Sequence, residues 1–404
     1  MISAKRSIKL DFSSGISSFF DFMQSSGDDV SKDTFIYFYG FKTNLIFDMD
    51  VKTVRAKWLR VMWPFLIAAL FFLLVRIAIR YPEIVEDYYS DGFYTHFAGI
   101  TSFFSSMVSF SIWDIFWLLA ILAFIGSILL VLVGKLKMKT MLLRAAQILA
   151  LLYAWFYLSW GFNYFRPDIE KRIGFDMKSV DEKLFKSVLD SVIVLVNNSH
   201  TVVKSEDYGD IDILVEASYL RNSGSLDINY PNGSRRPKKM VFSNLISKFG
   251  ISGYFGPFFN EINLNRRILP MDYPFLLAHE KAHQFGVSGE SDANLAAFIV
   301  CTRSDDRRLN YSGYLALLLY FLEDAQYFSD YHDYLGKLDK TVLEEIQFRQ
   351  KYYFGLHNEA MEQAHESVYD AYLKSNHVAH GIENYNDVVE LAVSWFEKES
   401  KLSQ

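Results

Sequence analysis

The strongest pattern along the chain is a set of three apolar runs between Trp58 and Phe162. They cover residues 61–79, 115–133 and 145–162. Each is close to the ~20 residues that a helix needs to cross the hydrocarbon of a bilayer. Their apolar side chains would cover every face of a helix, which favours contact with lipid over burial in a soluble protein. The pattern therefore predicts three transmembrane spans and a lipid bilayer as a partner.

Two details of these runs suit a membrane span. Arg76 lies near the end of the first run, where a long side chain can reach the interface. Pro64 lies in the predicted first turn of the same run, where proline costs little. The third run ends in aromatic residues, which are enriched at membrane interfaces: Tyr153, Trp155, Tyr157 and Trp160.

Basic residues are distributed unevenly around the predicted spans. They flank the start of the first run and fill the loop between the second and third runs: Lys52, Arg55, Lys57, Arg60, Lys135, Lys137, Lys139 and Arg144. Lysine and arginine concentrate in cytoplasmic loops. We therefore expect a multi-pass protein of the inner (cytoplasmic) membrane with a cytoplasmic N-terminus and a periplasmic C-terminal domain. Arg166, Lys171 and Arg172 after the third run weaken this orientation slightly.

The runs divide the 404-residue chain into three parts. We expect a cytoplasmic N-terminal segment over 1–57, a membrane region over 58–162 and one soluble domain over 163–404. Within that domain, residues 206–236 are rich in Gly, Asn, Ser and Asp, which indicates strands and turns. The net charge of -6 offers no basic patch, so nucleic acid is not expected as a partner.

A metal-binding motif stands in the soluble part, where residues 279–283 read His-Glu-Lys-Ala-His. Asp272 as a cap and Pro274 in the first turn predict the start of a helix there, and Gly286 its end. His279 and His283 would share one face of this helix and converge on one ion. Glu280 lies about 100° round from His279 and could act as the general base on a metal-held water.

A catalytic zinc usually takes three protein ligands and leaves one position open. The acids that follow the Gly286 turn are Glu290 and Asp292, at the start of a second apolar helix predicted over 290–300. We favour Glu290 as the third ligand, with Asn294 orienting it from the same face. A favourable charge at the helix N-terminus is the other explanation of Glu290. Asp292 is the alternative ligand, although its offset of roughly 200° places it on another face.

Other residues carry weaker signals. Residues 258–265 alternate loosely after Gly253, Gly256 and Pro257, which indicates a short strand entered through a turn. Tyr254 and Tyr311 could polarise a substrate carbonyl, or simply pack in a core. The histidines at 332, 357 and 365 fit the exposed polar face of a helix.

The chain resembles an uncharacterised bacterial family, found mostly in the Bacteroidota, whose members join three membrane spans to a zincin-like HExxH domain. The resemblance rests on WGFNYFRP (160–167), GYFGPFFNEINLN (253–265), PFLLAHEKAHQFG (274–286), ESDAN (290–294), YSGY (311–314) and YDAYLKSN (369–376). The element Glu-x-x-Ala-(Asp/Asn) also resembles other membrane zinc peptidases in which its first Glu is a ligand, and this supports Glu290. The chain departs from the family in Asp292, where Glu is common, and in a longer N-terminal segment.

The resemblance implies an α+β fold: three transmembrane helices, then an extracytoplasmic zincin-like domain with a small antiparallel or mixed sheet, the HExxH helix and further helices. In zincin folds the strand just upstream of the metal helix borders the cleft as a sheet edge. The resemblance thus implies that Asn260, Glu261, Ile262 and Asn263 receive an extended peptide. The residue pattern also allows an interior strand.

These observations favour a membrane-anchored zinc-dependent metallopeptidase with Zn²⁺ as cofactor and a protein or peptide as substrate. The alternative is a catalytically inactive zinc-binding receptor or scaffold with a protease-like fold. An intact Glu280 favours the enzyme, because a purely structural site has no use for a base. A transporter is less favoured, because the spans carry no paired charges. The sequence leaves the substrate and the oligomeric state open.

Overall fold

A computed structural model of the chain describes residues 51–177, 179–231, 235–376 and 387–402. Most of the N-terminal segment expected over 1–57 lies outside these residues. The first part of the described chain is helical, and its elements are α1 (Val51–Ala78), α2 (Pro82–Ile84), a π-helix (Val85–Tyr94), α3 (Thr95–Ser106), α4 (Ile112–Leu132) and α5 (Met138–Ser159).

Three of these helices are long and apolar enough to cross a membrane. The segments are Trp58–Ala78, Ile112–Leu132 and Met138–Ser159, with mean hydropathies of 2.3, 2.9 and 1.5. The prediction of three apolar helices at these places is confirmed, with shifted ends. The third helix already begins at Met138 and includes Lys139 and Arg144, because long basic side chains join a helix readily and extend to the interface.

The position of Pro64 was predicted wrongly. It lies inside α1 and not in its first turn, because the helix already begins at Val51. A proline within a helix removes one backbone donor, and a spanning helix tolerates this where neighbouring groups satisfy the freed carbonyl.

The second part of the chain is mostly helical with a small sheet. Its helices are α6 (Ile169–Ile173), α7 (Glu182–Ser199), α8 (Tyr208–Asn222), α9 (Ser243–Ile246), α10 (Tyr273–Gln284), α11 (Glu290–Thr302), α12 (Arg307–Ala325), α13 (Tyr331–Gly336), α14 (Lys340–Leu356), α15 (Glu359–Ser375) and α16 (Asp387–Leu402). Its strands are β1 (Lys238–Lys239), β2 (Gly253–Gly256) and β3 (Glu261–Leu264). The expected combination of apolar helices, further helices and a small mixed sheet is thus confirmed.

Helix α8 corrects the prediction of strands and turns over 206–236. Ile211, Val215 and Tyr219 recur every fourth residue and are fully buried. This spacing places them on one helix face against the core. The helical period of the apolar positions outweighed the turn-rich composition of the segment.

The sheet order also corrects a prediction. The strands lie in the order β1-β3-β2, with β1 parallel and β2 antiparallel to β3. The strand that was expected to form the edge is therefore central. Among the described residues β2 pairs only with β3, so the free edge nearest α10 belongs to β2. The sequence did not reveal this because the partner strand β1 lies more than twenty residues upstream and is only two residues long.

Helices α10, α11 and α12 form the centre of the main hydrophobic core. Small residues face each other where these helices pack, and Ala278, Ala282, Ala296 and Ala297 are fully buried. Residues Leu59–Gln404 form one compact unit that includes both the apolar helices and this core. The His-Glu-Lys-Ala-His motif of residues 279–283 therefore has a defined position relative to the ends of the apolar helices.

Candidate metal centre

Helix α10 begins and ends where the sequence indicated, but its start is stabilised differently. Pro274 lies in the first turn, and Gly286 follows the end of the helix with a φ of 84°. Asp272 does not cap the helix with its side chain. Its carboxylate instead accepts hydrogen bonds from Arg349 Nε at 2.8 Å and Tyr353 Oη at 2.7 Å. The residue fixes α14 against α10, which could not be inferred from local sequence.

His279, His283 and Glu290 converge on one point. His279 Nε2 lies 3.2 Å from His283 Nε2 and 3.2 Å from Glu290 Oε2. His283 Nε2 lies 3.5 Å from the same Glu290 oxygen. Ligands placed tetrahedrally at about 2.05 Å from an ion are about 3.3 Å apart, so this spacing matches a tetrahedral site. The three buried side chains could hold a metal ion.

The other ring nitrogen of each histidine has its own partner. His279 Nδ1 lies 2.9 Å from Asn294 Oδ1, and His283 Nδ1 lies 2.8 Å from the carbonyl of Val287. Both partners accept hydrogen bonds, so both Nδ1 atoms donate and both Nε2 atoms are directed toward the shared point, where an ion would replace a proton. Asn294 thus orients His279, whereas it was expected to orient Glu290.

Glu290 is oriented by a residue to which the sequence assigned no role. The hydroxyl of Tyr369, on α15, donates a hydrogen bond to Glu290 Oε1. This bond leaves Oε2 directed toward the two histidines. Tyr369 opens the stretch 369–376 that carries part of the family resemblance, and this was the only signal in the sequence that could have drawn attention to it.

The charges within the cluster favour binding of a cation. Burial lowers the pKa of His283, but the Glu290 carboxylate raises it by more. The net pKa of His283 is about 9. Burial raises the pKa of Glu290, but the charges of His283 and His279 bring it well below its ordinary value. A proton is thus strongly held between these groups, and a bound cation would take its place. Metal affinity should therefore increase with pH.

Glu280 lies on α10 close to the strand β2. A Cβ atom built on Gly253 would lie only 2.6 Å from Glu280 Oε1, so the glycine permits this close approach. Burial raises the pKa of Glu280, and the nearby histidines oppose this rise. A carboxylate with a raised pKa beside a metal site is suited to accept a proton from water.

A cavity of about 960 Å³ opens beside this cluster. Its wall includes His279, Glu280, His283 and Glu290, the β2 segment, and side chains from α15 such as His365 and Tyr369. Trp160 and Tyr164, just after α5, line it as well. His365 is half-buried here, which corrects the expectation of an exposed face. This volume lies at the upper end of the range of about 300–1,000 Å³ that is typical of ligand-binding sites.

Tyr254 and Tyr311 are not placed to polarise a carbonyl at the metal cluster. Tyr254 is among the residues that line the cavity, but it follows Gly253 in β2, so its side chain points to the opposite face of the sheet and its hydroxyl donates a hydrogen bond to Asp114. Tyr311 is fully buried, donates to Glu345 and does not line the cavity. Both contribute to packing.

The residues expected to bind substrate are buried in the sheet. Glu261 accepts a hydrogen bond from Lys238 Nζ at 2.6 Å, and Ile262 belongs to the core. Asn260 precedes the strand with a φ of 51°, and Asn263 is fully buried. Asp292, the alternative ligand, accepts from the amide of Ile169 at 3.3 Å and is not part of the ligand cluster.

The middle of the motif is anchored by a buried charge pair that the sequence did not indicate. Lys281 is completely buried, and its ammonium group donates to Glu216 on α8. Arg235 Nη2 donates to the other oxygen of Glu216 at 2.8 Å. Burial lowers the pKa of Lys281, and Glu216 opposes this effect. The pair fixes the back of α10, away from the ligands.

A family model described as "Protein of unknown function (DUF3810)" matches residues 89–393. The matched region includes α4, α5, the sheet and all members of the metal cluster. No curated protein and no solved structure matches the chain.

Proposed function

Since the chain belongs to this family of proteins of unknown function, its activity must be inferred from the site, and we propose that it is a membrane-anchored, zinc-dependent metallopeptidase. The observation that carries the proposal is the convergence of His279, His283 and Glu290 beside Glu280 in an open cavity. Two histidines and one carboxylate form a ligand set that is typical of catalytic zinc in peptidases.

The donor set favours zinc over other common ions. Two imidazole nitrogens and one carboxylate oxygen at tetrahedral spacing suit Zn²⁺, whereas Mg²⁺ and Ca²⁺ prefer more numerous oxygen ligands. Both histidines are held by hydrogen bonds in the tautomer that ligation needs. When bound, Zn²⁺ would act as a Lewis acid and lower the pKa of a coordinated water toward about 7.

Glu280 supplies the proton transfer in this proposal. Its carboxylate accepts the proton of the attacking water and then delivers it to the amine that leaves. Burial raises the pKa of Glu280, which makes its carboxylate a better proton acceptor than an exposed one. Because Gly253 has no side chain, this carboxylate lies directly against β2.

The free edge of β2 is the surface on which a peptide would bind. Asn265 N donates to the carbonyl of Ser252 at 2.9 Å, and Tyr254 pairs with Asn263 in the same register. Hydrogen-bonded pairs alternate along antiparallel strands, so the N–H and C=O groups of Gly253 and Phe255 point away from β3. Residues 250–255 line the cavity, so these groups can pair with an extended peptide.

Further parts of the proposal concern fold and orientation. The helix-borne motif with a sheet edge beside it supports a zincin-like domain. The basic residues around the apolar helices support a cytoplasmic N-terminus, with the catalytic domain on the extracytoplasmic side of the inner membrane. Reporter fusions after residue 170 should be active only outside the cytoplasm, and cytoplasmic activity would reverse this orientation.

The test of catalysis is turnover by the purified full-length protein in detergent or nanodiscs. The protein is loaded with zinc and incubated with a mixed peptide library, and products are identified by mass spectrometry. Glu280→Gln serves as the matched control, because it keeps the ligands and should lose turnover by about 10²–10⁴-fold. A zinc-loaded wild type that produces no more cuts than this variant would favour the receptor or scaffold instead.

A further inference from the structure

Helix α10, which carries His279 and His283, is hydrogen-bonded directly to the end of the apolar helix α5. Trp160, the residue after α5, donates from Nε1 to the carbonyl of His283 at 2.8 Å. Tyr94, at the end of the π-helix, donates from its hydroxyl to the carbonyl of Gln284 at 2.8 Å. Both bonds reach the last turn of α10. Only the side chain of Trp160 therefore separates the backbone of His283 from the end of α5, a predicted membrane span.

The sheet is joined just as closely to the start of α4. The amide of Trp113 donates to Glu261 Oε1 at 2.7 Å, so a residue of β3 satisfies a free donor at the N-terminus of this helix. Asp114 Oδ2 accepts from the amide of Val241, next to β1, at 2.7 Å. These bonds fix the sheet relative to the membrane end of α4.

The turn between β2 and β3 lies against the side of α4. Phe258 packs on Trp113 with ring centroids 5.0 Å apart, and Phe259 packs on Phe116 at 5.7 Å. Tryptophan is enriched at the membrane–water interface, and Trp113 lies in the first turn of the apolar helix α4. A Cβ on Gly256, at the end of β2, would lie 3.2 Å from the indole of Trp113. One end of β2 is therefore at the interface.

Helix α3 indicates the same position for the membrane–water interface. Ile100, Phe103 and Phe104 on this helix are 50–62% exposed, which is unusual for large apolar groups facing water. An amphipathic helix with such a face lies in the interface with its apolar side toward the acyl chains. The helix belongs to the segment that joins α1 to α4, so it lies on the same side of the membrane as the sheet.

The strand β2 thus leads from the interface to the catalytic group. Gly256 lies beside Trp113 at the membrane end, and Gly253 lies beside Glu280. Three residue steps of a strand cover about 10 Å. A peptide paired with β2 would therefore have its cleaved bond about 10 Å from the plane at which the apolar helices begin.

On this geometry, and resting on the proposed peptidase function, we infer that the substrate is the juxtamembrane segment of another membrane-anchored polypeptide, on the side of the membrane that carries the catalytic domain. An extended chain that leaves the bilayer beside α4 reaches the metal after about three to six residues. A folded soluble protein would have to bring an unfolded loop equally close to the lipid. Anchoring in the same bilayer also raises the effective concentration of the segment.

The experiment uses the zinc-loaded full-length protein in proteoliposomes and one set of unstructured peptide sequences in three forms. In the first form the set directly follows a Leu-rich transmembrane anchor. In the second, a Gly/Ser linker of about 40 residues, which spans roughly 35 Å, separates the set from the same anchor. In the third the anchor is absent. Cut sites are mapped by mass spectrometry, with Glu280→Gln as the blank.

We expect the first form to be cut at least about 10-fold faster than the second, with cuts about three to six residues from the anchor. The second form is equally tethered, so this difference reports geometry and not local concentration. Equal rates for all three forms, or cuts scattered along the long linker, would overturn the inference and leave the peptidase intact. No cut beyond the Glu280→Gln blank in any form would overturn the peptidase proposal, and the inference with it.

Discussion

Gly253 and Glu280 approach so closely that a Cβ atom on the glycine would lie 2.6 Å from the carboxylate oxygen Oε1. No side chain is tolerated at that distance without a shift of the carboxylate. The strand edge and the candidate base therefore depend on each other, although they are separated by the whole of β3 in the chain.

This contact gives the first prediction. Gly253→Ala should displace the Glu280 side chain and lower peptide turnover, by about 10-fold or more, while zinc binding is retained. The ligands His279, His283 and Glu290 are untouched by the substitution. Turnover and zinc content are measured on the same preparation. Wild-type turnover in a folded Gly253→Ala protein would show that the position of Glu280 is not critical.

The identity of the third ligand can be tested directly. Wild-type protein should bind about one zinc ion per chain, and His283→Ala or Glu290→Ala should lose most of it, because a tetrahedral catalytic site needs three protein ligands. Asp292→Asn is the matched control, since Asp292 accepts a hydrogen bond from Ile169 outside the cluster. Metal is measured by mass spectrometry after dialysis. Loss of zinc from Asp292→Asn with retention in Glu290→Ala would reverse the assignment.

Tyr369 should matter for metal affinity and not for folding. Tyr369→Phe removes the hydroxyl that donates to Glu290 Oε1 but keeps the ring. Loss of a partner that orients a ligand typically weakens metal binding by about 10–100-fold. Competition with a chelator measures the affinity, and circular dichroism checks the fold. An unchanged zinc affinity would mean that Glu290 is held without this bond.

Substrate binding on β2 predicts a specific effect of proline. Phe255→Pro removes an N–H group that points away from β3, so the sheet should persist while one hydrogen bond to substrate is lost. Such a bond contributes about 1 kcal/mol, and cleavage of an extended peptide should fall about 5–10-fold. Phe255→Ala is the control for loss of the aromatic ring, whose centroid lies 5.6 Å from that of Trp160. Equal activities of the two variants would exclude strand addition here.

The charge pair behind α10 predicts sensitivity to acid. Burial raises the pKa of Glu216, but the charges of Lys281 and Arg235 lower it by more. The net pKa therefore lies below its ordinary value. A carboxyl group with a depressed folded pKa stabilises the fold above its unfolded pKa and loses this contribution as pH falls. Glu216→Gln should destabilise the protein at pH 7 by about 3 kcal/mol, because Lys281 stays buried without its partner.

The corresponding measurement is thermal unfolding as a function of pH. The difference between wild type and Glu216→Gln should be largest near neutral pH and shrink as the pH falls below the ordinary carboxyl pKa of about 4.3. Asp305→Asn is the control, since its pair with Arg221 is exposed and contributes little. A constant difference across this range would mean that the charge of Glu216 is not what stabilises α10.

Several features of the protein follow from local sequence alone. The apolar runs predicted three long apolar helices, because a span must satisfy its own backbone hydrogen bonds and face lipid on all sides. His279 and His283 converge because residues four apart share a helix face. Glu290 joins them because Gly286 reverses the chain within a few residues. Each of these relations depends on neighbours close along the chain.

Tertiary packing determined the orientation of Glu290, the order of the strands and the partners of two tyrosines. Glu290 is oriented by Tyr369, which lies 79 residues further along the chain, and its role depends on how α15 packs against α11. β3 became central because Lys238–Lys239 pairs with its far side, so the free sheet edge near α10 belongs to β2. The hydroxyl groups of Tyr254 and Tyr311 donate to Asp114 and Glu345 and do not reach the cluster of His279, His283 and Glu290. Sequence periodicity determines which face a residue occupies within its own element, but the partner of that face is set by the packing of elements far apart in the chain.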